Sequence, residues 1–142
     1  MTHGLDTSFL VAVEVSSHAE HAACRARFQK MVRAGDTFSL VPQILAEFIH
    51  VVTDPRRFSS PLTMEQAIER AAIWWNAAEV VHVFPTADST LLFLNWIGEC
   101  NLGRKRLLGT MLAATLRAAS VTSILTLNRD DFTVFDDFIF PK

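Results

Sequence analysis

The chain has 142 residues, half of them hydrophobic, and a formal net charge of −2. That size suits one domain with one core over residues 1–142, and the charge gives no bulk signature of a nucleic-acid binder, although a local basic patch would be sufficient for one. Cys24 and Cys100 stand far apart with no CxxC partner, which excludes a disulfide framework and fits buried free thiols in a reducing cytosol. No apolar run approaches the roughly 20 residues that span a bilayer, and the polar start of the chain argues against a leader, so a soluble, cytoplasmic protein with no membrane contact is expected.

In chain order, a short strand fits around Gly4 to Asp6. Thr7 to Val15 reads as a helix with Thr7 or Ser8 as its cap. His18 to Ala34 reads as a second helix, closed by Gly35. Thr37 to Val41 is a β-branched and apolar run that predicts a buried strand. Pro42 suits the first turn of a third helix reaching about Thr53, which Asp54-Pro55 ends. After a loop from Arg56 to Leu62, Thr63 caps a fourth helix with Gln66 at the capping-box position. Val80 to Phe84 predicts another strand, and Thr86 caps a fifth helix to about Cys100. Asn101-Leu102-Gly103 turns the chain into a sixth helix over Leu107 to Ala119. Val121 to Leu127 predicts a strand, Asn128 to Phe132 a turn, and Phe138 to Phe140 a last edge strand ended by Pro141. Strands alternating with helices predict an α/β domain: a central, mainly parallel β-sheet flanked by α-helices on both faces. In such sheets the functional crevice lies beyond the carboxyl ends of the strands.

Several side chains fall at such ends. Asp6 follows the first strand and is either a helix N-cap or a carboxylate facing the crevice. Glu47 lies about 40° past Val51 at the border of the third helix's apolar arc, where it is a solvated edge residue or looks into a cleft. Gly109 lies about 20° past Leu116 on the sixth helix, either as a cap or as an odd choice inside a helix, where glycine costs about 1 kcal/mol against alanine. Asn128-Arg129-Asp130-Asp131 follows the last full strand, as turn residues or as part of a site. His18-Ala19-Glu20-His21 fits no metal-binding histidine motif and reads as solvated. His50, one turn after Glu47, either borders the cleft or, being off the apolar arc, reads as surface.

Taken together the pieces resemble the PIN domain, and specifically the VapC-type toxins of bacterial toxin–antitoxin systems. The resemblance runs from Leu5-Asp6-Thr7-Ser8, through Ala46-Glu47-Phe48 in a helix after a proline, and Gly103-Arg104-Lys105-Arg106-Leu107-Leu108 leading into Met111-Leu112-Ala113-Ala114-Thr115, to Leu125-Thr126-Leu127-Asn128 followed by Asp131-Phe132. Each motif alone is weak; their order and spacing carry the resemblance. It implies a PIN-like fold, a cluster of acids binding Mg²⁺ or Mn²⁺, hydrolysis of RNA phosphodiesters, a homodimer, and a VapB-type antitoxin whose tail crosses the acidic cleft. Residue by residue it implies metal and catalytic roles for Asp6, Glu47 and, in the fourth motif, Asp131, a metal-binding role for Asn128 beside it, and Ser8 and Thr126 orienting the site.

The third acid of the pattern falls at Gly109, and glycine has no side-chain oxygen for a hard cation. The chain then resembles either a metal-dependent ribonuclease toxin with a weakened site or a catalytically dead module that binds antitoxin or RNA. The glycine itself is a natural loss, an inactivating change, or a position whose acid stands elsewhere. For RNA, the resemblance leaves Arg104, Lys105 and Arg106 as phosphate contacts, with Arg56-Arg57 and the basic stretch Arg25, Arg27, Lys30 and Arg33 beside them. A phosphotransfer enzyme with Asp6 as nucleophile is a further reading, but Ser8 stands where that chemistry wants a second acid.

Overall fold

A computed structural model describes all residues, Met1–Lys142. Four short strands, β1 (Thr2–Leu5), β2 (Thr37–Leu40), β3 (Val80–His82) and β4 (Ile124–Leu125), form one sheet in the order β3-β2-β1-β4. Every pairing is parallel. The helices are α1 (Thr7–Glu14), α2 (His21–Arg33), α3 (Pro42–Val52), α4 (Met64–Asn76), α5 (Ala87–Glu99), α6 (Leu107–Ala118) and the single turn α7 (Asp130–Thr133). This is the expected α/β arrangement.

Side chains alternate between the two faces of a strand. On β1, His3 faces the side where its register partner Phe38 packs against Phe28 of α2. Gly4 faces the other side, where Leu116 of α6 lies. Helices therefore cover both faces, and 26 buried apolar residues form one cluster between them. Gly4 is where α6 approaches most closely: a Cβ there would stand 2.4 Å from Leu116 Cδ1. Leu116 is fully buried and cannot swing aside freely. Gly4→Ala is expected to cost about 1–3 kcal/mol by overpacking, read as a lower urea midpoint with an unchanged slope.

The ends of the elements differ from the sequence expectations for identifiable reasons. Asp6, not Thr7 or Ser8, caps α1: its carboxylate accepts the Thr7 N–H at 2.8 Å. The second helix begins at His21 rather than His18, because His18 Nδ1 accepts the Glu20 N–H and holds a turn before the helix. Gly35 does close that helix, with φ of +83°. Both expected capping-box features of α4 are present between Thr63 and Gln66. The strand expected to reach Phe84 ends at His82.

The strand expected over Val121 to Leu127 keeps only two ladder residues. At its start the Val121 N–H caps the end of α6 through Leu116 O, and at its finish the Leu127 N–H turns to Ser8 Oγ. The Phe138 to Phe140 strand reduces to one bridge between Ser123 and Ile139. Asn128 to Phe132 is not a plain turn but leads into α7. Gly109 is the third residue of α6, whose N-cap is Arg106, so it is not a cap.

Candidate active site

Because all strands run the same way, β1 and β4 deliver Asp6 and Thr126 side by side at one edge of the sheet. There Asp6 does two jobs. One carboxylate oxygen caps α1, and the other accepts the Thr126 hydroxyl at 2.7 Å and the Ser8 hydroxyl at 3.3 Å. Ser8 Oγ in turn accepts the Leu127 N–H at 3.0 Å, and Thr126 Oγ1 accepts the Asn128 N–H at 2.9 Å. The start of α1 and the segment after β4 are thus stitched together around one carboxylate.

A crevice of 840 Å³ opens over this junction. Asp6, Glu47, Gly109, Asn128 and Asp131 all line it, as do Ser8 and Lys105. Glu47 is half-buried on α3, and its carboxylate accepts the Thr7 hydroxyl at 2.8 Å. Asp131 is anchored from across the crevice by Arg106, whose Nη2 donates to the Asp131 carbonyl at 2.6 Å and whose Nε lies 3.7 Å from its carboxylate. A Cβ built on Gly109 meets nothing within 4 Å. The glycine leaves an open gap in the crevice wall, not a close contact.

The electrostatics follow from this placement. Burial pushes the Asp6 carboxyl above its ordinary range, against hydrogen bonds from Thr126, Thr7 and Ser8 that favour the charged form; the nearby charge of Asp131 adds to the rise. A buried carboxylate repelled by a neighbour is relieved by a cation.

The chemistry of the donors fits a hard divalent ion: carboxylates from Asp6, Glu47 and Asp131 and an amide oxygen from Asn128. Their number falls short, since no group of three or more His, Cys, Asp or Glu side chains stands close enough to enclose an ion. An ion held here would keep much of its shell as water, with the Gly109 gap on one side.

The three basic residues of the 104–106 run part company. Lys105 lines the crevice, Arg106 is committed to Asp131, and Arg104 is exposed outside the lining. Arg57 from the loop after α3 does reach the crevice. Two contributors are not legible in the sequence. Thr7, between two recognised residues, reads there only as a cap. His18 reads as solvated yet lines the crevice, as does His50, which is exposed as the surface reading expects. His50 lies nearly one turn after Glu47 on α3, a spacing that puts it beside that residue. His21 is not freely solvated either, since its ring bonds the Ala12 carbonyl.

Thr126 is nearly fully buried and holds Asp6, Ser8 and Asn128 at once. Thr126→Val is expected to weaken Mn²⁺ binding by about ten- to a hundredfold, the usual effect of losing a group that orients a ligand. Calorimetric titration, with thermal melting as a control for folding, checks it.

An α/β protein with a carboxylate-lined crevice at the carboxyl edge of a parallel sheet is the class that fold and site define. Among solved structures, the chain matches VapC20 of Mycobacterium tuberculosis, a Sarcin-Ricin loop cleaving toxin, with a TM-score of 0.72 at 17% identity over 98% of this chain and 97% of that one. It matches VapBC2 of Rickettsia felis, solved bound to a DNA fragment from the promoter, with a TM-score of 0.71 at 16% identity over 99% and 98%. VapBC-1 of nontypeable Haemophilus influenzae matches with a TM-score of 0.69 at 16% identity over 100% and 98%. No family model and no curated protein matches the sequence. The chain shares the fold of VapC toxins over its whole length.

Proposed function

We propose that this chain is the toxin of a toxin–antitoxin pair, a VapC-like ribonuclease that hydrolyses RNA phosphodiesters with Mg²⁺ or Mn²⁺. The observation that carries the reading is the convergence of Asp6, Glu47 and Asp131 on one crevice, at the strand ends of a fold shared end to end with VapC toxins. A bound divalent ion would supply an activated water and offset charge developing on the phosphate. Asp6, Glu47 and Asp131, with Asn128, would hold it.

The chain's own residues do the rest. Thr126 and Ser8 fix the Asp6 carboxylate, and Thr7 fixes that of Glu47. Arg106 positions Asp131. Lys105 and Arg57 on the crevice lining attract and orient the RNA phosphate. The decisive experiment is RNA cleavage by this chain with Mg²⁺, with Mn²⁺ and with EDTA. Cleavage that EDTA stops supports the nuclease. Specific RNA binding without cleavage supports the second reading, a module that binds without cutting, which the Gly109 gap favours.

The partner proposed is a VapB-type antitoxin laid over the crevice, in keeping with the VapBC complexes that share this fold. A homodimer is also proposed. Along α5 the only buried residue is Ser89, while Leu91 and Leu94 are 60% and 58% exposed; an apolar face of this kind suits an interface. No helix is long and apolar enough to cross a membrane, and with free thiols at Cys24 and Cys100 the cytoplasm is the proposed compartment.

A further inference from the structure

A second hollow of 580 Å³ adjoins the crevice, and Asn128 and Asp131 line both. Its other polar walls are Glu20 before α2, Arg27 on α2, Thr126 after β4, and Arg129 and Asp130 at the start of α7; its single apolar wall is Leu127. The two guanidiniums are set in place by the fold. That of Arg27 lies 5.8 Å from the centre of the Phe9 ring and donates to the Pro141 carbonyl. That of Arg129 lies 5.8 Å from the centre of the Phe140 ring. Neither is neutralised by an ion pair, although carboxylates stand beside both. The Arg27 Nε is buried with no hydrogen-bond partner, a donor left unsatisfied at a cost.

The mixed charge selects the occupant. Three carboxylates would repel a lone phosphate, and two guanidiniums would repel a metal ion. A nucleobase presents donors and acceptors side by side and meets both kinds of group. Guanine matches best: O6 and N7 accept from a guanidinium, and N1–H with the 2-amino group donates to a carboxylate. Single-stranded RNA is read in this way, by bases splayed out against arginine planes and polar edges.

We propose that this hollow reads a guanine base next to the RNA phosphate seated in the crevice, with Arg129 on its acceptor edge and Asp130 or Glu20 on its donor edge. The proposal rests on the reading that the crevice takes RNA. Because the hollow and the crevice meet at Asn128 and Asp131, the guanine stands at a fixed step from the bond under attack.

The test is fluorescence anisotropy with Mg²⁺ on labelled oligouridine, the same RNA carrying one guanosine, and the same RNA carrying one inosine, which lacks the 2-amino group. The guanosine RNA is expected to bind about tenfold tighter than oligouridine, with inosine between them. Arg129→Gln, and separately the pair Glu20→Gln with Asp130→Asn, should remove the preference and leave oligouridine binding unchanged. Glu20, Arg129 and Asp130 are exposed, so the variants fold, with melting curves as the check. Equal binding of all three RNAs overturns the guanine hollow and leaves the RNA crevice standing, as does a preference that survives both variants. Failure to bind any RNA, with the fold intact, overturns the crevice reading and the hollow with it.

Discussion

Gly109→Asp is expected to tighten Mn²⁺ binding by roughly ten- to a hundredfold, the scale on which ligand charge and its support tune such sites. Metal-dependent RNA cleavage is expected to rise with it and to vanish in EDTA. The new side chain has room, since nothing lies within 4 Å of the added Cβ. It also enters the first turn of α6, where a carboxylate gains about 0.3–1 kcal/mol from the helix dipole. Repulsion from Asp6 and Asp131 opposes that gain, so metal-free stability should change by less than about 1 kcal/mol. The metal should then raise the melting temperature more in the variant than in the parent chain, because binding to the folded state alone stabilises it by mass action. A titration showing the same Mn²⁺ affinity for both proteins would mean that position 109 faces no ion, and the site as drawn would be wrong.

Asp6→Asn should separate stability from function. Burial, reinforced by the Asp131 charge, raises the folded-state pKa of Asp6 above the ordinary 3.8. A raised carboxyl favours the folded state most when protonated; that contribution is complete below the unfolded pKa and is lost as pH rises through the folded one. At neutral pH the folded chain therefore bears the cost of a desolvated acid whose ionisation burial opposes, a cost that asparagine would spare it. The variant is expected to melt higher than the parent at neutral pH in EDTA, and the difference should close below about pH 4, where Asp6 is protonated in both states. Saturating Mn²⁺ should reverse the order, stabilising the parent and not the variant. If Asp6→Asn melts lower at every pH, the hydrogen bonds to Thr126, Ser8 and Thr7 outweigh the desolvation, and the carboxylate is a structural staple. A stability cost concentrated in one buried acid is a common mark of a working site.

Much of this architecture is legible in the residues themselves. Alternating strand and helix patterns give the parallel sheet, and strands that all run one way give the edge where Asp6 and Thr126 meet. The caps of α4 and α5 are readable because Thr63 with Gln66 and Thr86 with Ser89 satisfy helix N–H groups locally. What the chain does not show is wherever a side chain replaces a ladder partner. Ser8 captures the Leu127 N–H from more than a hundred residues away and cuts the last strand short, and no local pattern encodes that. The same holds for the basic run 104–106, alike in sequence and divided by geometry: a single 3₁₀ turn sends Lys105 to the crevice, Arg106 to Asp131 and Arg104 to solvent. Helical periodicity marks His50 as off-core but cannot say that a cleft lies on that side. Gly109 stands out because it departs from a pattern, and its surroundings are open where a cap would be packed.

The bond from Thr126 to Asp6 spans 120 positions, and the one from Leu127 to Ser8 spans 119. Synthesis proceeds from the amino end, so Asp6 is made 120 residues before its partner Thr126. Until β4 arrives, β1 has β2 on one side and an unpaired edge on the other, and the crevice lacks the wall carrying Asn128 and Asp131. The crevice is therefore incomplete until the segment after β4 has been made and has folded back onto the start of α1.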